Sequence, residues 1–579
     1  MIVEIKINTD KLNWRERLKV ELTPNDFLQN IENIHFDFIG DNERAYLEDA
    51  GIYNHEAEDD MFALRLRFNA GRISPEQLLL IAKIVKRYDL DIILTARAQM
   101  QLHGLDSSTV LSAWKELNEN GISTWQTLGD NVRNIVTDVY DGVGKYAEIE
   151  VYPYIQQMQE YILNKPRFIG LLPRRVSVGI SGNRANLNSF FANDLFFALA
   201  EKEGVKGFNV YLGGKNSEQA QEADVFLKAS QVVEYFIAVI EAFHLHGLRG
   251  TRSKTRLFHW LEKEGMEGIK KQIDKEHSLT YQTAGSLLLQ RYDKTITEPL
   301  KDNSFVYMYH TDFARVSADT FIKLSKFASE HKAEVRLGID QHIYFLGLES
   351  PVTPFENSHT ISTISACAGN EHCNFSFWHV KDDTSYLPLE LIQKHKIMVG
   401  FSGCIKGCGK HQHCDIGLIG MQTSSYGTSG EAARIYLGGE HSFGLSVARY
   451  LNILVPKEAL SSFLEVIIKE FEHSSYNNFE DFSKEVLNTY SADFLCLWFL
   501  AKLSTKTEVF LQKNVEVLEE VCTQSERETL SECFSSVIPS KNFKCSSEIS
   551  RLAKGLWKEE PKSPIVIQSS KSGFNYGSK

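Results

Sequence analysis

At 579 residues the chain is long enough for several domains with sizeable cores. Its 43% hydrophobic and 24% charged residues are ordinary for a globular protein, and a formal charge of −12 gives no support for a nucleic-acid partner. No stretch of eighteen apolar residues exists to span a membrane, and the opening MIVEIKINTDKLNWRER places Lys, Asp and Glu where a secretory signal needs an apolar run. The chain therefore reads as cytoplasmic.

In chain order, residues 1 to about 60 are acidic and aromatic and show no recognisable site. From Phe62, FALRLRFNAG alternates like a strand, ISPEQLLLIAKIVKRYDL carries apolar residues at helical spacing, and DIILTARAQMQLHGL returns to strand. The same layout recurs 243 residues later without a gap, matching Arg72 with Arg315, Ser74 with Ser317, Lys83 with Lys326, and Gly104-Leu105 with Gly347-Leu348. A second pair of segments agrees: VSVGISGN (176–183) lies over IMVGFSGC (397–404), and NVYLGGKNS (209–217) over RIYLGGEHS (434–442). Four aligned segments in one order predict a duplicated unit, two mixed α/β halves of an α+β fold related by pseudo-two-fold symmetry, with room for a large cofactor between them. After about Pro456, KEALSSFLEVIIKEFEH, FLCLWFLAKL and VFLQKNVEVLEEVC have apolar residues three to four apart, which predicts helices. The tail from Pro561, rich in Ser, Lys and Gly, reads as disordered.

The cysteines are unevenly placed. None occurs in the first 366 residues; then Cys367 and Cys373 stand with five residues between them and Cys404 and Cys408 with three. A [4Fe–4S] cube needs four thiolates at its corners, and two close pairs brought together by folding supply them. Glycines 369, 403, 407 and 409 sit beside these cysteines, where the missing Cβ lets backbone N–H groups approach an inorganic sulfide. In a cytosolic chain, nine cysteines read as metal-binding or free rather than disulfide-bonded.

In these residues the chain resembles the sirohaem-containing sulfite and nitrite reductases, whose pattern is one Cys pair spaced by five, a second spaced by three, and a following D/E-I-G run, here Asp415-Ile416-Gly417. The resemblance covers roughly residues 60–460. It implies that Cys367, Cys373, Cys404 and Cys408 hold the cluster and that Cys408 also bridges to the sirohaem iron. Between the second pair the chain has Ile405-Lys406 where the family usually has Pro-Asn, which makes Lys406 a candidate for a sirohaem carboxylate. The implied domains are an N-terminal segment (1–60), two ferredoxin-like half-domains (61–125 and 301–350), a first sirohaem- and anion-binding lobe (126–300), a [4Fe–4S] and sirohaem lobe (351–480), a helical extension (481–560) and the tail (561–579).

Sirohaem carries eight carboxylates and the substrate is an anion, so such a site needs fixed cations, preferably forked donors. The family's sources match Arg65 on the first strand, Arg97, Gln101, His103 and Gly104 in R-x-x-x-Q-x-H-G, Asn131, Arg133 and Asn134 in N-x-R-N, and Leu172-Pro173-Arg174 followed by Arg175. The resemblance implies an anion clamp of Arg65, Arg133 and Arg175, with Ser177 a further candidate and Arg97, Gln101, His103, Asn134, Arg174, Lys215, Arg252 and Lys254 on the cofactor. Sulfite reductases typically read LPRKxK and nitrite reductases LPRKxN, where this chain has Arg175 and Ser177. The expected reaction is the six-electron reduction of sulfite to sulfide or of nitrite to ammonia. Lacking a nucleotide-binding GxGxxG or a flavodoxin-like region, the chain is expected to draw electrons from a separate ferredoxin or flavoprotein.

Two other readings compete. Cys404, Cys408, His411, His413 and Cys414 crowd together as a zinc module would, which leaves the arginines of the first half unexplained. Cobalamin-pathway relatives keep the cluster and change the reaction. Cys496, Cys522, Cys533 and Cys545 read as buried apolar thiols.

Overall fold

The computed structural model describes residues 11–54, 60–185, 190–355, 363–381, 385–423, 430–442, 444–504, 508–526 and 528; the expectations for the tail and for Cys533 and Cys545 lie outside them. The chain divides into two compact units. The first runs to Ser362 and takes in Glu371–Asn374 and Ser442–Leu445; the second holds Thr363–Asn370, Phe375–His441 and everything from Ser446.

The first unit opens with helix α1 (Trp14–Glu21), whose N-cap Asn13 accepts the N–H groups of Arg15 and Glu16. Strands β1 (Ile52–Asn54), β2 (Phe62–Leu66), β3 (Arg72–Ile73), β4 (Asp91–Thr95) and β5 (Gln99–Leu105) follow, with helix α2 (Pro75–Tyr88) between β3 and β4. The sequence Ser-Pro-Glu-Gln sets the start of α2: the Ser74 side chain accepts from the Gln77 N–H, the Gln77 side chain returns the bond, and Pro75 occupies the first turn. Leu78, Ile81, Ile84 and Val85 give the helix a buried face.

Next comes a lobe of β6 (Val178–Ser181), β7 (Leu195–Lys202), β8 (Val205–Leu212), β9 (Gln221–Lys228), helix α3 (Val232–His246) and β10 (Ser286–Leu287). β6 runs parallel to β7, while β7, β8 and β9 are antiparallel neighbours. The second copy of the half-domain has β11 (Thr297–Pro299), β12 (Phe305–Tyr309), β13 (Arg315–Val316), helix α4 (Ala318–Glu330), β14 (Glu334–Leu337) and β15 (Ile343–Leu348).

The two half-domains exchange a strand. β13 of the second copy pairs with β4 of the first, and β3 of the first pairs with β14 of the second, giving sheets ordered β1-β2-β5-β4-β13 and β11-β12-β15-β14-β3. The duplication reaches the backbone torsions. Left-handed residues fall at matching places: Ala70 and Phe313, Gly71 and Ala314, Asp89 and Lys332, Ala98 and Gln341, Gly104 and Gly347. Side chains that ordinarily avoid this region keep it because both copies need the same turns. Ser317 caps α4 as Ser74 caps α2.

The second unit repeats the lobe design. β16 (Ile364–Ala366), β17 (Val399–Ser402) and β18 (Ile416–Thr423) run parallel, and β19 (Gly430–Leu437) and β20 (Arg449–Pro456) continue antiparallel. Helix α5 (Lys457–Glu472) follows, as α3 follows β9. The extension packs here through helix α6 (Ala492–Ser504): buried Glu470 of α5 accepts from Trp498 Nε1 at 2.7 Å and from the Leu511 N–H at 2.7 Å. Cys496 and Cys522 are buried. Among the described residues no helix is long and apolar enough to cross a membrane.

A buried acidic cluster in the first unit yields a test. The Tyr140 hydroxyl donates to Glu298, while the Asp138 carboxylate accepts from the Tyr140 N–H at 2.7 Å. Burial pushes Glu298 up to about 7 and Asp138 up to about 6. Both carboxyls hold protons more tightly folded than unfolded, so the stability they confer is complete below about pH 4 and fades as pH rises through about 7. Glu298→Gln is expected to flatten that slope, so that between about pH 4.5 and about pH 8 its melting temperature falls less than that of the wild type. Parallel calorimetric curves for the two proteins would show that the Glu298 proton is not linked to folding.

Candidate active site

Within the first unit, four guanidiniums gather. Arg65 is the half-buried residue of β2, Arg97 lies in the turn between β4 and β5, and Arg133 and Arg175 come from two loops bonded to each other. The Arg133 N–H donates to the Val176 carbonyl at 2.8 Å, and the Val176 N–H to the Asn131 carbonyl at 3.0 Å. The Arg133 guanidinium donates to the carbonyls of Thr127 and Gly129 (2.9 Å for the latter), while its buried Nε has no hydrogen-bond partner among the described residues. Burial, then the charges of Arg175, Arg65 and Arg97, hold Arg133 well below the ordinary guanidinium range. Because arginine does not give up its proton in proteins, this repulsion appears as affinity for an anion.

The neighbours named from the sequence lie around this group. Asn134 donates to the carbonyls of Arg97 (3.0 Å) and Ala98 (3.3 Å), fixing the left-handed turn. His103 Nε2 is 3.0 Å from Tyr53 Oη and 3.3 Å from Gln101 Oε1, and Arg65 lies over the Tyr53 ring at 5.8 Å. Cys373 belongs to the segment Glu371–Asn374, counted with this unit, where the adjacent His372 ring stands 4.4 Å from that of His103.

Of the other predicted cations, Arg174 and Arg252 pair with a buried acid. Arg252 forks onto Asp130 at 2.7 and 2.8 Å, Arg174 reaches it at 3.5 Å, and Lys19 of α1 at 2.9 Å. Burial alone would raise Asp130, but Lys19 and Arg252 hold its carboxyl well below the usual carboxylate range. Ser177 donates its hydroxyl to Asp194 Oδ2 at 2.7 Å, and Arg256 grips the same carboxylate at 2.6 Å. Lys215 lies over the Phe258 ring at 3.6 Å, and burial lowers it; Lys254 is exposed.

In the second unit, the Cys367 Sγ accepts the Gly403 N–H at 3.1 Å and the Gly369 N–H at 3.4 Å, contacts that stabilise a thiolate and tune a cluster. A Cβ at Gly403 would stand 1.7 Å from Ser376 Oγ, so only glycine brings this N–H so close. Burial and the charge of Cys408 push the Cys367 thiol up to about 11, which couples its deprotonation to metal binding. Cys404 and Cys408 follow β17 in one tight loop, with Cys408 exposed and Lys406 over the Phe375 ring at 2.9 Å. This donor set fits iron. His411 is engaged with Ser402 Oγ at 3.0 Å, and Cys414 is buried.

Sequence reasoning missed Lys19, Tyr53, Asp130 and Asp194. Asp130 directly precedes Asn131 of the N-x-R-N run, which was a signal; nothing local marks the other three.

The class of protein follows: a duplicated redox enzyme whose thiolate loop suits an iron–sulfur cluster and whose arginines suit an anionic tetrapyrrole and a small anion. A model described as the nitrite/sulfite reductase ferredoxin-like half domain matches residues 54–120, and one described as the nitrite and sulphite reductase 4Fe-4S domain matches residues 128–280. The second match falls on the earlier, cysteine-free copy of the lobe, as duplication allows. A ferredoxin–nitrite reductase of Synechococcus elongatus is 26% identical over 80% of this chain and 97% of its own, and the chloroplastic one of Arabidopsis thaliana is 26% identical over 79% and 87%. The structure of the Mycobacterium tuberculosis NirA protein superposes with a TM-score of 0.73 at 22% identity, over 84% of this chain and 97% of that one, which shows a shared fold. The chain belongs to the sirohaem- and [4Fe–4S]-containing nitrite and sulphite reductase family.

Proposed function

We propose that the chain is a ferredoxin-dependent nitrite reductase, taking nitrite to ammonia. The observation that carries this reading is the convergence of Arg65, Arg97 and Arg175 on buried Arg133, a site that calls for an anion. The choice of nitrite is supported by neutral Ser177 where sulfite reductases place a lysine, and by relatives named ferredoxin–nitrite reductase. A reducing compartment, the cytoplasm on this reading, keeps the cluster thiols available.

Cys367, Cys373, Cys404 and Cys408 would hold the cluster. Arg97, Gln101, His103, Asn134, Arg174, Lys215, Arg252, Lys254 and Lys406 are the candidates for the sirohaem, with half-domains at 61–125 and 301–350 and cofactor lobes at 126–300 and 351–480. When bound, the two cofactors supply a metal for the anion and a store of electrons. Arg65, Arg133 and Arg175 would orient the anion and offset charge developing on its oxygens. Their fixed N–H donors would polarise each departing oxygen, leaving protons to come from water.

Turnover of purified protein with reduced methyl viologen tests the substrate. We expect kcat/KM for nitrite to exceed that for sulfite by about a hundredfold or more, the scale of one misplaced charged contact in a closed site. Equal or faster turnover of sulfite would overturn the assignment.

A further inference from the structure

The stretch that carries Arg175 is held from almost every side. The Leu172 carbonyl accepts Lys19 Nζ at 2.9 Å, and the Leu172 N–H donates to the Asp130 carbonyl at 3.3 Å. The Pro173 carbonyl accepts Arg252 at 3.5 Å, and Arg174 pairs with Asp130. Beyond Arg175, the Ser177 N–H and hydroxyl both donate to Asp194 Oδ2, at 2.8 and 2.7 Å, and the Ser177 oxygen accepts the Asp194 N–H at 3.1 Å. The side-chain ties lead back to two acids, Asp130 and Asp194, both wholly buried. Each is forked by an arginine from one short turn, Arg252 on Asp130 and Arg256 on Asp194, so that turn closes over the stretch from both ends.

We propose that Asp130 and Asp194 are the positioning residues of the anion clamp: they fix residues 172–177, and through them the Arg175 guanidinium, and so set the affinity for the substrate anion. The proposal rests on the nitrite-reductase reading. It assigns Ser177 the task of tying Arg175 to Asp194 rather than meeting substrate, and it makes α1, through Lys19, part of the binding machinery. Buried charge networks fix geometry because no rearranged state pairs all their members.

The test compares Ser177→Val with Ser177→Thr in holoenzyme, two side chains of one shape that differ in the hydroxyl, beside Asp130→Asn. Nitrite affinity is read from the perturbation of the haem absorption band, and KM and kcat from viologen turnover. We expect Ser177→Val to weaken nitrite binding and raise KM about tenfold against Ser177→Thr, the scale of one hydrogen bond to a charged group, with kcat changed far less. Asp130→Asn, where it folds, should weaken nitrite binding further. Equal nitrite affinity in the valine and threonine variants overturns the proposal, even if melting temperatures differ. A wild-type protein with no haem absorption would instead overturn the reading on which it rests.

Discussion

Replacing Arg133 with methionine is expected to lower kcat/KM for nitrite by two to three orders of magnitude, about 3–4 kcal/mol of transition-state stabilisation, while changing the melting temperature little. The functional loss follows from taking one preorganised donor out of a closed site, where such groups are worth most. The small stability change is a balance. Methionine leaves the Thr127 and Gly129 carbonyls without their donor, a cost of about 1–3 kcal/mol. It also removes a cation that burial, then the charges of Arg175, Arg65 and Arg97, disfavour, which offsets that cost. Stability and function therefore part at this residue, as they do where a site stores strain for binding. Arg133→Lys should recover little activity, because a compact ammonium on a flexible stem does not reproduce the planar fork by which the guanidinium reaches both carbonyls. Steady-state kinetics and calorimetry on both variants check this; a methionine variant with near wild-type kcat/KM would remove Arg133 from the clamp.

Much of this arrangement was legible in the sequence because its determinants are local. Ser74 and Ser317 announce their helices by capping chemistry, and the positions matched at 243 residues carry the same left-handed turns, Asp89 with Lys332 and Ala98 with Gln341. The cysteine spacing by itself suggested four thiolates for a cluster, while the arginine positions were readable only through the resemblance to the reductases. Long-range pairing was not. The exchange of β3 and β13 between half-domains depends on two-residue strands, too short to show an alternation. Residues 1–60 show no recognisable site in the sequence, yet Lys19 reaches Asp130 across 111 positions and Arg15 reaches buried Asp49, which in turn accepts from Asn131 at 2.7 Å. Ser177 reads as a gap in a basic motif until Asp194 is seen beneath it. A charge network is defined by its acids, and these lie far along the chain from the bases they serve.

Cys408→Ser is expected to cut viologen-driven turnover at least a thousandfold and to take cluster iron, sulfide and the haem absorption with it, because the resemblance gives this sulfur to both cofactors. Serine is a poor exchange for a thiolate: its hydroxyl is a hard, weakly acidic ligand where iron in a cluster favours soft sulfur. The neighbouring Cys414 supplies the control. It is buried, and burial, with the charge of Asp415, pushes its thiol up to about 12, so at neutral pH it is a protonated apolar group. Cys414→Ala should cost about 1 kcal/mol for the small cavity it leaves and retain cluster and turnover. Iron and sulfide analysis on both proteins separates the alternatives. A cluster intact in Cys408→Ser but lost in Cys414→Ala would shift the ligand set toward the crowded Cys/His run, while loss in Cys408→Ser alone fits a thiolate ligand at Cys408.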